Sequence, residues 1–66
     1  MDKKALRNSI ARCKRSGVSK LGFKVAVEKA ATGMLETGVL TEEQKHAKVK
    51  GAIEFIEENW DRVPAA

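Results

Sequence analysis

The stretch Thr41 to Pro64 (TEEQKHAKVKGAIEFIEENWDRVP) constrains the fold more than any other part of the chain. Val49, Ile53, Ile56, Trp60 and Val63 recur at alternating spacings of four and three residues. At about 100° per residue they form one apolar stripe on an α-helix. His46 prolongs the stripe backwards, and Ala52 and Phe55 widen it. Lys50, Glu54, Glu57, Glu58 and Asp61 fall on the other side. Thr41 and Gln44 are spaced as a capping box, in which hydroxyl and amide each bond the other residue's backbone N–H. Glu42 and Glu43 put negative charge at the positive end of the helix dipole. Pro64 cannot continue the helix. The pattern predicts one helix over residues 42–63.

A stripe this wide exceeds the two-position seam of a coiled coil, so it needs more than one neighbour. The rest of the chain supplies two. A first helix is expected over residues 2–16, capped by Asp2, with Leu6, Ile10 and Cys13 as its narrow apolar stripe and Ala5 at the edge. Gly17 suits the left-handed position that ends a helix, with Val18 reaching back to Cys13. Ser19 caps a second helix over residues 20–37, with Val18 and Phe23 at staple positions around the cap. Its main face is Phe23, Val27, Ala30, Ala31 and Met34, bordered by Leu35. Gly22, Ala26 and Gly33 form a strip of small residues beside it, which predicts a tight helix crossing there. Gly38 ends this helix, with Val39 returning to Met34. The short connection to Thr41 implies an antiparallel hairpin. The expected fold is all-α: a single small three-helix domain over residues 1–66, its short basic helix packed on the hairpin of two longer ones. Ala65 and Ala66 are expected to fray.

Cys13 is the one cysteine of the chain, so no intramolecular disulfide forms, and a reduced, cytoplasmic setting is expected. No apolar run approaches the length of a membrane span. A 66-residue chain has a small core, and burying more apolar surface in a homodimer would help it.

Catalysis is not expected. His46 is the sole histidine and lies by the apolar seam. One His and one Cys, far apart, make no metal ligand set, so neither metal nor cofactor is expected. Cys13 has Arg12 and Lys14 beside it, which would favour its thiolate, but its place in the Leu6–Ile10 stripe reads as a packed small hydrophobe. The glycines sit at helix ends or singly, so there is no phosphate-cradling loop, and no small-molecule substrate is expected.

Binding is better supported. Residues 1–29 carry nine Lys/Arg against two acids, whereas residues 30–66 carry four against seven. Lys3, Lys4, Arg7, Arg12, Lys14 and Arg15, continued by Lys20 and Lys24, are candidate contacts to nucleic acid or an acidic partner, because clustered cations displace counterions from phosphates. Leu21 and Val25 point away from the main face of their helix, and Phe55 lies at the edge of the third stripe. These three are the candidate protein interface. The favoured expectation is a non-enzymatic binding or adaptor protein that acts through helix faces on a protein partner or on a second copy of itself. The alternative is nucleic-acid binding by the basic first helix. Gly17-Val18-Ser19, with Cys13 four residues before the glycine, resembles the turn of the helix-turn-helix class. Arg12 and Ser16 depart from it, since they stand where that class buries apolar side chains. The aromatics all lie on expected core stripes, away from the basic residues that would need them for base stacking.

Overall fold

The computed structural model describes residues 3–66. The expected cap at Asp2 lies outside the described residues. Three α-helices follow in order: α1 (Lys3–Arg15), α2 (Lys20–Glu36) and α3 (Glu42–Asn59), the last tightening into a single 3-10 turn, Trp60–Arg62. The fold is all-α, as the periodicities require.

Local chemistry sets the boundaries. Ser19 Oγ accepts from the Gly22 backbone N–H at 3.0 Å, and both halves of the Thr41–Gln44 capping box are present. Gly17 and Gly38 both have φ of +80°, a left-handed conformation that glycine adopts without Cβ strain. Each closes a Schellman motif. The Val18 N–H donates to Cys13 O and the Gly17 N–H to Lys14 O, and Val39 and Gly38 do the same to Met34 and Leu35. These two turns reverse the chain twice and set the up-down-up order of the helices.

α3 departs from its expected length. It was expected to stay helical to residue 63, but regular α-helix stops at Asn59. There the Asn59 side-chain amide donates to Phe55 O at 2.9 Å, and the tighter turn that follows swings Val63 into the core, where it is 3% exposed. The tail does not fray at once, because the Ala66 N–H donates to Ala11 O on α1 at 3.1 Å.

α2 and α3 form the closely packed antiparallel hairpin, and α1 lies mainly against α3. Ile10, Phe23, Ile56 and Val63 form the core, with Leu6, Cys13, Val27, Ile53, Phe55 and Trp60 packed around it. The Phe23 and Trp60 rings meet at 6.3 Å and 34°. This cluster occupies one end of the bundle, near the C-terminus of α3. At the other end the hairpin buries only small side chains, Ala31 and Ala52. The cause is length. α1 has 13 residues and α3 has 18, so at about 1.5 Å per residue α1 is roughly 7 Å too short to cover α3.

Two expectations fail on α2, the first for that reason. Ala30 and Met34 were assigned to the main face of α2, yet both are exposed, because no third helix reaches them. His46, expected on or beside the seam as a packed or partly exposed side chain, is exposed on α3. The strip Gly22, Ala26 and Gly33 receives no helix. A Cβ on Gly22 would meet only Val18 and Ser19, and one on Gly33 would meet nothing within 4 Å.

Candidate binding surfaces

The basic residues divide into two groups. Lys20 and Lys24 reach from α2 to α3, where both bond the Glu57 carboxylate. Lys20 Nζ stands 3.1 Å from Oε2, and Lys24 Nζ bonds Oε1. The hydrogen bond from Lys24, then that from Lys20, holds the Glu57 carboxyl below its ordinary pKa. Lys14 Nζ donates to Val63 O at 2.6 Å and lies 5.3 Å from the Trp60 ring centre, within cation–π range. These three cations therefore tie helices together. Lys3, Lys4, Arg7, Arg12 and Arg15 are exposed on α1. The Arg12 guanidinium approaches Ser9 Oγ at 3.5 Å. Successive residues turn by 100°, so Arg7, Arg12 and Arg15 spread over roughly 140° of the helix.

The apolar candidates also separate. Leu21 is 67% exposed and Val25 44% exposed, on the outer face of α2, with Val18 exposed one turn earlier. Phe55 is half-buried, and it lines an open groove of ≈ 480 Å³ between α1 and α3. Leu6, Leu40, Ala47, Gly51 and Phe55 give this groove its apolar lining, and Lys3, Gln44 and Lys48 its polar groups. Sequence reasoning missed the groove. The available signals were Gly51 in mid-helix and the mismatch in length between the first and third helices.

Cys13 is half-buried in the α1 stripe, and His46 is exposed on α3. Among the described residues no group of three or more His, Cys, Asp or Glu side chains is placed to hold a metal ion. No helix among them is long and apolar enough to cross a membrane. No protein-family model, curated protein or solved structure matches the chain.

Proposed function

We propose that this chain is a non-enzymatic binding protein that engages a protein partner through the outer face of α2. The exposure of Leu21 and Val25 supports this most directly. The two are neighbours one turn apart on the same helix face, and Val18, in the turn before α2, is also exposed. A single exposed leucine needs no explanation, whereas adjacent apolar side chains opposite a helix's own core face mark a contact surface. Glu28, Thr32 and Glu36 continue the ridge as a polar border, the arrangement of an interface with an apolar centre and a hydrated rim.

The test compares three tagged proteins: the parent chain, Leu21→Glu/Val25→Glu, and Arg12→Glu/Arg15→Glu. A captured protein is purified and titrated against each. Affinity that is lost in the α2 variant and kept in the α1 variant supports the reading. Affinity that is equal for all three refutes it.

The exposed Lys4, Arg7, Arg12 and Arg15 support a second reading, nucleic-acid binding by α1. Anisotropy of a labelled DNA duplex at low and moderate salt tests it. Micromolar binding that weakens steeply with salt and disappears in Arg12→Glu/Arg15→Glu would move the function to α1. The absence of binding at low salt would remove this reading.

A further inference from the structure

We propose that the groove between α1 and α3 is a docking site for an acidic amphipathic helix of a partner protein. This rests on the reading of the chain as a helix-face binding protein, and it adds a second surface and a partner chemistry.

Three features of the groove point to that occupant. The first is its charge. Among the described residues, the charged ones that line it are Lys3 and Lys48, with no acid. The recess on the outer face of α2 mixes Glu28 and Glu36 with Lys29. The α1–α3 groove therefore presents cations of one sign beside an apolar lining, which complements an apolar helix face bordered by carboxylates. Neither Lys3 nor Lys48 forms an ion pair with a described residue.

The second feature is Gly51. A glycine in mid-helix costs about 1 kcal/mol relative to alanine. No turn requires Gly51, since it is helical and its φ is not positive. No intramolecular packing requires it either, because a Cβ there would meet nothing within 4 Å. Together with Ala47 one turn earlier, it lowers the groove wall so that another helix can approach closely.

The third feature is shape. From Gln44 to Phe55 the α3 wall runs about three turns. That length accommodates apolar anchors at i, i+4 and i+7, the pattern of helix-in-groove recognition. A second apolar recess, lined by Val27, Met34 and Val49, shares Lys48 with the groove. A helix docked here would supply at the open end of the hairpin the third layer that α1 supplies at the closed end.

The probe is a stapled, fluorescein-labelled helical peptide of about 15 residues. It has leucines at i, i+4, i+7 and i+11 and glutamates along both borders. A matched peptide carries lysines in place of the glutamates. The parent chain is expected to bind the glutamate peptide at least about tenfold more tightly than the lysine peptide at low salt. A Cβ at position 51 meets nothing within 4 Å, so Gly51→Leu should occupy the groove, keep its helical circular dichroism and lose at least about tenfold in affinity. Lys3→Glu/Lys48→Glu should reverse the preference between the peptides, whereas Arg12→Glu/Arg15→Glu should retain it.

Lack of binding up to about 1 mM peptide, a range that covers weak complexes, overturns the proposal. So does binding that is indifferent to Gly51→Leu. Sedimentation equilibrium of the chain alone covers the remaining occupant: a dimer broken by Gly51→Leu would assign the groove to a second copy and overturn the proposal. A failure here, alongside a captured partner that depends on Leu21 and Val25, removes only the groove assignment. Failure of both removes the wider reading.

Discussion

Ile10→Ala tests how the short helix is held. Ile10 is fully buried, and no other α1 side chain among the described residues is. It packs in one cluster with Phe23, Ile56 and Val63. The substitution removes three buried carbons, worth about 2.4 kcal/mol at 0.8 kcal/mol each. The cavity adds to this, since Leu6 and Cys13 are its α1 neighbours and the backbone between them is helical. The total is about 3 kcal/mol, within the 2–5 kcal/mol range for such truncations. A domain of this size has a stability of roughly 3–10 kcal/mol, so the loss is a large share. Thermal melts should show Tm falling by about 12–24 °C, at 4–8 °C per kcal/mol. Circular dichroism and Trp60 fluorescence should be followed together, because Trp60 touches both Phe23 and Lys14. If α1 peels away first, the fluorescence change will precede the loss of helix. A Tm drop below about 4 °C, equivalent to less than 1 kcal/mol, would refute the assignment of Ile10 as the anchor.

Two further predictions concern polar contacts. The folded-state pKa of Glu57 is lowered, so its ion pairs stabilise the fold above the ordinary glutamate range and lose that effect as pH falls through the depressed value. Glu57→Gln should therefore flatten the dependence of Tm on pH below about pH 4.5, and an unchanged slope in acid melts would count against the pairing. Thr41→Ala removes the acceptor for the Gln44 N–H and should cost about 1 kcal/mol in urea unfolding; a change under about 0.3 kcal/mol would show that the capping box is dispensable.

What was legible in the sequence was local. The caps at Ser19 and Thr41 and the glycine stops at Gly17 and Gly38 depend on residues within a few positions of one another, and all four stand where their side chains and φ preferences put them. The stripe positions Ile10, Phe23, Ala52 and Ile56 are buried where helical periodicity aligns them, whereas Val63 reaches the core through the 3-10 turn before it. Met34 and Ala30 have the right period, but burial also needs a covering helix, and the reach of α1 is not encoded in the pattern of α2. Lys20 and Lys24 looked like part of a binding patch. Their positions on α2 turn them towards Glu57, a pairing set by the hairpin register and invisible within either helix. The groove at Phe55 follows from two lengths and one glycine, so no single motif announces it.

The uneven core links the fold to its surfaces. Large apolar side chains converge where α1, α2 and α3 all meet, and the Lys14, Lys20 and Lys24 contacts lie at that same end. Towards the N-terminal end of α1, α3 presents Ala47 and Gly51 and α2 presents Ala30 and an exposed Met34, with Ala31 and Ala52 buried in the hairpin. Small side chains there contribute little to the isolated fold and leave room for an additional helix. Substitutions around Ile10, Ile56 and Val63 should therefore act through stability. A side chain at Gly51 should raise Tm through helix propensity, by the equivalent of about 1 kcal/mol at most, substitutions at Lys48 should leave the melting behaviour nearly intact, and both should act through binding. The two classes separate along the bundle because one helix is shorter than the pair it packs on.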